Sequence, residues 1–414
     1  MARTTDLSHL FSVFGRIGLL SFGGPAAQIS LMHRELVDRT GWLSEKDFLG
    51  ALSFCMLLPG PEAMQLATFC GWKIRGTAGG LLAGLLFVLP GALVIAALAA
   101  LYITFGNVPL VQAAFLGVKA AVVAIILQAL VRLSRKVLTG PQEWGMALAS
   151  FICLYAGWLP FPAVIAAAAL IGMARATEQQ TPALSPARAP VSRTFRTILI
   201  WGTLWLAPIG FLHLVNATFL WDVAVFFSKL AVVTFGGAYA VLAYMVQAVV
   251  QDHGWISTGE MIDALGLAET TPGPLILVTQ FVATLAGHHQ GGATLAALAG
   301  ITALWCTFTP CFLWIFAGAP HVSRILANPR LSAGLHFISA AVTGVIINLS
   351  LWFTLNLLFK TVTPHPVPLP NLSSFSPFMA ALVGLACLML FALRLPLLAV
   401  LALCAFAGLV PNLL

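Results

Sequence analysis

Apolar segments long enough to cross a membrane recur along almost the whole chain and are separated by short polar breaks. An α-helix rises about 1.5 Å per residue, so about 20 apolar residues match a hydrocarbon core roughly 30 Å thick. Segments 143–157 and 159–174 are shorter, and the pattern leaves open whether they cross fully. We therefore predict an all-α polytopic membrane protein with about thirteen spans, at residues 9–31, 48–71, 79–104, 110–131, 143–157, 159–174, 197–219, 223–250, 261–286, 292–318, 331–358, 376–393 and 395–413.

The composition excludes a water-soluble domain. Of the 414 residues, 60% are hydrophobic and only 8% are charged, whereas soluble domains are about 25% charged. The seven cysteines lie in apolar stretches and form no CxxC pair, which is typical of small packing residues rather than of a disulfide or metal site.

The lysines and arginines between the spans indicate an orientation. With the N-terminus in the cytoplasm, the loops expected inside carry most of these charges, including Lys73 with Arg75, the cluster Arg132, Arg135 and Lys136, and Arg394. The loops expected outside carry a single lysine, apart from the loop after the first span, which is mixed in sign. This is the positive-inside pattern. Segment 177–193 is rich in Pro, Ser and Ala and is interpreted as a flexible cytoplasmic linker.

An internal repeat organises the chain. "FGRIGLLSFGGP" begins at Phe14 and "FSKLAVVTFGGA" begins at Phe227, an offset of 227 − 14 = 213 that also superimposes two Pro-Gly-Pro segments. We predict a first repeat at 1–175, a linker with one connecting span at 176–219, and a second repeat at 220–414. Six spans per repeat and one span between them place the second repeat upside down, as in secondary transporters. The alternative is an old duplication that serves only as a scaffold.

Each repeat carries two breaks inside apolar segments, "SFGGP" with "PGP" in the first and "TFGGA" with "PGP" in the second. A Pro-Gly-Pro stops a helix, and its second proline suits the start of the next one. About eleven residues precede the first Pro-Gly-Pro, so the break is expected near the bilayer midplane. A helix that begins there presents unpaired N–H groups and a positive dipole end, which favour an anion. Up to four such starts could converge; the alternative is that each break is a packing kink.

Ionisable and amide side chains accompany these breaks. Arg16, Lys119 and Lys229 are cations inside spans, so we expect them to face the interior and at least one to contact the anion; for Arg16 and Lys229 the alternative is snorkelling to the interface. Glu62 starts a half-helix, and it is either a proton-coupling residue or a simple cap. Glu269 is a second, weaker coupling candidate. Gln65 and Gln280 either donate hydrogen bonds to an oxyanion or bridge helices.

The motifs "SFGGP", "LPGPEAMQLA", "VVTFGGAYAVL" and "ETTPGPLILVTQFV" resemble those of the chromate ion transporter family, in its long-chain, two-domain type, over nearly the whole chain. The resemblance implies chromate efflux from the bacterial cytoplasm, with sulfate as an analogue. One departure is Ala238, which stands where the first repeat has Pro25. The motif positions that the resemblance assigns to the substrate site are Phe22, Gly23, Gly24, Pro25, Pro59, Gly60, Pro61 and Glu62, with Phe235, Gly236, Gly237, Pro272, Gly273 and Pro274.

These observations predict a secondary transporter that exports chromate or a sulfate-like oxyanion across the bacterial inner membrane. The sequence has no Walker A, HExxH or GxGxxG motif, so we expect no nucleotide, metal, other cofactor or nucleic-acid partner. The lipid bilayer is the expected environment, and a homodimer is left open. The alternatives are an oxyanion channel, a sulfate-type uptake transporter and a membrane-embedded enzyme.

Overall fold

The structure is a computed structural model that describes residues 6–176, 191–235, 238–363 and 369–413. Most of the linker expected at 177–193 and the motif residues Gly236 and Gly237 lie outside the described residues.

The described residues are overwhelmingly helical, which confirms the all-α prediction apart from two strands of two residues each. These strands pair antiparallel, with Val362 opposite Pro370. Shorter π- and 3₁₀-segments extend several helix ends. The helices and strands are α1 Leu7–Leu20, α2 Gly24–His33, α3 Glu45–Cys55, α4 Glu62–Phe105, α5 Pro109–Val137, α6 Pro141–Tyr155, α7 Phe161–Ala174, α8 Val191–Leu214, α9 Thr218–Val233, α10 Ala238–Val246, α11 Thr258–Thr270, α12 Val278–Gly318, α13 Val322–Leu326, α14 Pro329–Leu358, β1 Val362–Thr363, β2 Leu369–Pro370, α15 Pro377–Cys387 and α16 Leu397–Leu413.

Long apolar helices have the dimensions of membrane spans. Within the described residues, five helical stretches are long and apolar enough to cross a bilayer: Glu62–Phe105, Pro109–Val137, Ser192–Leu214, Leu275–Leu326 and Pro329–Leu358. By contrast, α6 and α7 have 15 and 14 residues, or roughly 22 and 21 Å of helix. The structure is therefore that of a multi-pass membrane protein in which some helices are shorter than the bilayer core.

The two repeats share their pattern of breaks. A π-helical segment at Arg34–Arg39 has its counterpart at Gln247–Asp252, an offset of 247 − 34 = 213. Gly41 and Gly254, again 213 apart, have φ of 61° and 60°. Further along, α4 is interrupted at Gly76 and α12 at Gly292, with closely similar φ/ψ values. The local backbone geometry thus follows the duplication seen in the sequence.

The interruptions in α4 and α12 are tight turns between antiparallel arms. In α4, a Cβ on Gly71 would lie 2.3 Å from the carbonyl oxygen of Gly79, on the other side of the turn at residues 75–76. In α12, Gly287 packs in the same way against the backbone of Leu295. Glycine allows the two backbones to approach this closely. Each of these elements is therefore a helical hairpin, with arms at 62–74 and 77–105 in α4 and at 278–290 and 293–318 in α12.

Two predicted crossings turn back instead of passing through. The ring centroids of His9 in α1 and Trp42 after α2 are 5.1 Å apart, although α1 alone is about 21 Å long. Likewise, the Lys73 Nζ atom lies 2.7 Å from an Asp47 carboxylate oxygen, so α3 runs antiparallel to arm 62–74. The prediction that 9–31 and 48–71 each cross once is therefore wrong. The charged loop 33–47 returns to the end occupied by residues 73–75, rather than lying opposite them.

The chain divides into two compact units, and each draws on both repeats. Unit 1 comprises Met1–Ala99, Ala176–Ala238 and Ala268–Ser332, and unit 2 comprises Ala100–Arg175, Tyr239–Leu267 and Ala333–Leu414. In unit 1, α12 packs on α8 and α9, with Trp201 stacked on Phe312. In unit 2, α5 packs on α15 and α16. The compact units therefore do not coincide with the sequence repeats.

Candidate functional site

Both Pro-Gly-Pro segments form tips in unit 1 at which one helix ends and another begins. Gly60 and Gly273 adopt positive φ values of 120° and 87°, a region that favours glycine because it lacks a Cβ. A helix begins directly after each second proline, at Glu62 and at Leu275. The predicted restart of a helix at each Pro-Gly-Pro is thus confirmed.

The tips of the two repeats exchange backbone hydrogen bonds. The Gly60 N–H donates to the Thr234 carbonyl at 2.8 Å, and the Gly273 N–H donates to the Ser21 carbonyl at 2.9 Å. The two donors occupy equivalent positions in the two repeats, and so do the two acceptors, since 273 − 60 and 234 − 21 both equal 213. Such reciprocity is what a two-fold relation between the two tips requires.

Gln28 joins the tips through its side chain. Its Nε2 donates to the Gly273 carbonyl at 2.7 Å and to the Ser21 carbonyl at 3.2 Å. The residue is 1% exposed, and its Oε1 has no hydrogen-bond partner among the described residues. Sequence reasoning missed Gln28, although an amide within the apolar stretch "PAAQISLM" is a usable signal because a buried amide needs partners.

A small cavity of ≈ 20 Å³ lies between the tips, with room for about one water molecule. Its wall includes the first residues of α2, of arm 62–74 and of the 3₁₀ turn that leads into α12. Three helix N-termini therefore meet here, and their N–H groups and dipoles favour negative charge. The lining residues are Pro25, Gln28, Gly60, Pro61, Glu62, Ala63, Thr234, Pro274, Leu275 and Ile276.

Five of the predicted site residues line this cavity. Glu62 is in the first turn of its helix, half-buried at the cavity wall. Gln65 and Gln280 donate to the carbonyls of Pro59 and Ala92 at 2.7 and 3.1 Å, so both act as bridges to backbone. The predicted residues in the wall are Pro25, Gly60, Pro61, Glu62 and Pro274; those outside it are Phe22, Gly23, Gly24, Pro59, Gln65, Phe235, Glu269, Pro272, Gly273 and Gln280.

None of the predicted cations lines the cavity. Arg16 and Lys229 are on exposed faces of α1 and α9, so the expectation that they face the interior is wrong. Each helix buries one side through residues such as Phe14 in α1 and Phe227 in α9, and the cation occupies the opposite side.

Lys119 belongs to a buried ion pair in unit 2. Its Nζ lies 3.2 Å from the Asp263 Oδ2 atom, with side-chain exposures of 17% and 5%. The Tyr102 hydroxyl donates to the same oxygen at 2.8 Å. Lys119 is therefore neutralised by a carboxylate, and the sequence analysis had not identified this partner.

Comparison with known proteins finds a family whose model matches two segments of the chain. The family model described as "Chromate transporter" matches residues 8–173 and 221–409. No solved structure matches the chain significantly.

Curated relatives resemble the chain over most of their length. The "Chromate transport protein" of Pseudomonas aeruginosa is 34% identical over 82% of this chain and 79% of that protein. The "Probable chromate transport protein" of Synechococcus elongatus is 30% identical over 82% and 83%. The "Chromate transport protein" of Cupriavidus metallidurans is 29% identical over 83% and 82%.

Proposed function

The chain belongs to the chromate transporter family, and from this premise we propose that it carries chromate across the membrane through the cavity between the two Pro-Gly-Pro tips. The names of its relatives support chromate as the substrate. The family is one of transporters rather than of enzymes.

The observation that carries the proposal is the convergence of helix N-termini on one buried cavity. A tetrahedral dianion needs donors on several sides, and N–H groups from three helices supply them without a buried cation. The cavity as it stands holds about one water. The tips must therefore separate before an oxyanion enters, which favours a transporter with an occluded state over an open channel.

Inverted repeats provide the symmetry for such a motion. In unit 1, Gly80 packs on Phe316 and Gly84 on Phe312, so arms 77–105 and 293–318 run antiparallel. These arms are equivalent in the two repeats, and their antiparallel packing supports an inverted relation between the repeats. Exchange between two arrangements related by this pseudo-two-fold symmetry then exposes the cavity to each side in turn.

The direction of transport and the orientation complete the proposal. The lysines and arginines favour a cytoplasmic N-terminus in the bacterial inner membrane, and the corrected path of residues 9–71 leaves the other loops on their expected sides. The cytoplasm is electrically negative relative to the outside, so the membrane potential drives chromate outward both as a dianion and as a dianion with one proton, and export is therefore the direction of this proposal.

Glu62 couples a proton to the substrate in this scheme. Its position at a helix start that faces the cavity is also the position that an oxyanion favours. An ionised Glu62 repels the substrate, whereas a protonated one does not. Proton binding and oxyanion binding therefore support each other without further machinery. Glu269, 8% exposed and outside the cavity wall, is the weaker candidate.

Filling the cavity tests the function. Ala63 lines it and is 3% exposed, so Ala63→Leu should abolish chromate flux into proteoliposomes. Ala97→Leu, on an exposed face of the same element, is the matched control and should transport normally. Sulfate, molybdate and phosphate as competitors rank the substrates. Normal flux through folded Ala63→Leu protein would exclude this cavity as the path.

Binding across pH tests the coupling. From pH 5.5 to 8.5, the affinity of the unsubstituted protein for chromate should weaken as the pH rises, whereas that of Glu62→Gln should stay nearly constant. Identical pH profiles would leave Glu62 as a helix cap and leave the transport proposal intact.

A further inference from the structure

A second cavity, in unit 2, is lined by cations and has no role in the scheme above. It measures ≈ 710 Å³ and is open to the surface. Arg132, Arg135 and Lys136 reach it from the last turns of α5, and Arg394 reaches it from the segment before α16. Four positive charges thus meet at one cavity, although Arg132 and Arg394 are 262 positions apart in the sequence (394 − 132).

These charges lack compensation by protein groups. Among the described residues, none of the four cations forms an ion pair, and the cavity wall contains no carboxylate. The C-terminal dipole of α5 stabilises Arg135 and Lys136. It does not explain Arg394, which belongs to a different element. Four like charges around one cavity favour an anionic ligand.

Arg394 occupies a backbone position that glycine would fill more easily. Its φ is 53°, the left-handed conformation that a helix adopts as it ends and that a Cβ disfavours. An arginine held in this conformation indicates that its side chain has a role, since strain of this kind accumulates at functional positions. The backbone therefore orients Arg394 at a cost in conformational energy.

The remaining wall is apolar. Phe391 is 42% exposed and Val131 38% exposed, and Leu395 is half-buried beside them. Cations next to exposed apolar side chains, at the ends of membrane helices, match an amphiphile with a phosphate head. We propose that this cavity binds the headgroup of an anionic membrane phospholipid, such as phosphatidylglycerol, with its acyl chains along the apolar wall.

The location favours a lipid over a free anion. Both loops that supply the cations are among those that the charge pattern assigns to the cytoplasmic side, and a shared cavity requires that they lie on the same side. A free oxyanion would have no use for the apolar wall, whereas acyl chains would. The ligand is therefore a structural lipid of the inner leaflet rather than a second substrate.

Binding of lipid to the full chain tests the proposal. The purified protein in detergent is titrated with phosphatidylglycerol, phosphatidylcholine or inorganic phosphate, and binding is followed by native mass spectrometry and thermal unfolding. Each cation near a membrane surface contributes roughly fivefold in affinity for anionic lipid. Arg132→Gln with Arg394→Gln should therefore weaken phosphatidylglycerol binding about 25-fold. The control is Arg193→Gln with Arg196→Gln, two exposed cations of α8, which should leave it unchanged.

A single variant separates the role of the side chain from folding. Arg394→Gly relieves the left-handed strain, so it should be at least as stable as the unsubstituted protein without lipid and yet lose about fivefold in phosphatidylglycerol affinity. Full phosphatidylglycerol affinity in Arg394→Gly or in the double variant would overturn the proposal. Equal protection by millimolar phosphate would overturn the assignment to lipid, and equal binding of phosphatidylcholine would overturn the role of the charge.

Discussion

The buried pair of Lys119 and Asp263 provides the sharpest test of the energetics. At a separation of 3.2 Å and an effective dielectric constant of about 20, the Coulomb attraction is about 5 kcal/mol. Lys119→Met removes the partner and leaves the carboxylate buried at 5% exposure. Breaking a buried pair in this way costs about 3–5 kcal/mol, so we expect a loss of this size in the free energy of unfolding.

A double variant distinguishes this effect from simple loss of packing. Lys119→Met with Asp263→Asn removes both charges and keeps an acceptor for the Tyr102 hydroxyl. We expect its stability to lie within about 1–2 kcal/mol of the unsubstituted protein, because neutralising both partners avoids the unpaired charge. With Asp263→Asn as the second single variant, the double variant should lose less than the sum of the two single losses, by at least about 1 kcal/mol. Unfolding in mixed detergent micelles, followed by tryptophan fluorescence, measures all of these variants.

The chain supplies its own control. Lys73 and Asp47 form an ion pair that is shorter, at 2.7 Å, but whose side chains are 40% and 44% exposed. An exposed pair contributes only about 0–1 kcal/mol, so Lys73→Gln should hardly change the stability. Equal losses for Lys73→Gln and Lys119→Met, or a double variant as unstable as Lys119→Met, would refute the argument that burial sets the magnitude.

Two other perturbations follow from the geometry. Gly60→Ala and Gly273→Ala should each cost about 1–3 kcal/mol of stability because both positions have positive φ. A Cβ at Gly60 would also lie 2.8 Å from Gln65 Nε2. Gly50→Ala, with open space around it, is the control and should not destabilise the protein; the melting temperature measures all three variants. At the loop end of α2, the hydrogen bond and charge of Glu45, with Asp38, raise the pKa of His33 above 6.5. The stabilisation by charged His33 is therefore complete below pH 6.5 and is lost as the pH rises through the raised pKa. His33→Gln should lower the melting temperature more at pH 5.5 than at pH 8.5. An equal effect at both pH values would contradict this prediction.

Features that depend on local chemistry could be predicted from the sequence. The positions of the Pro-Gly-Pro breaks and the helix starts after Pro61 and Pro274 follow from residues that are adjacent in the chain, and the repeat offset follows from matching two such motifs. The family resemblance rests on the same motifs and is confirmed by the family model.

Features that depend on direction or on distant partners could not be predicted. Hydropathy does not tell in which direction the chain runs through the membrane. A break at mid-depth therefore gives the same pattern whether the next helix continues across or turns back, and α2 turns back after α1. The partner of Lys119 lies 144 residues away (263 − 119), and nothing in the sequence around Asp263 marks it. A cation inside an apolar span predicts an interior position for Arg16, but a helix has two faces, and the buried face of α1 carries Phe14 and Ile17.

The reciprocal bonds between the tips have an evolutionary consequence. They join backbone atoms, the Gly60 and Gly273 N–H groups and two carbonyls, which a change of side chain leaves in place. The junction of the two repeats can therefore persist while the residues around it diverge. One copy has Glu62 and Gln28, whereas the other has Leu275 and Val241 at the equivalent positions. A backbone that remains symmetric thus allows the two halves of a duplicated gene to specialise without separating.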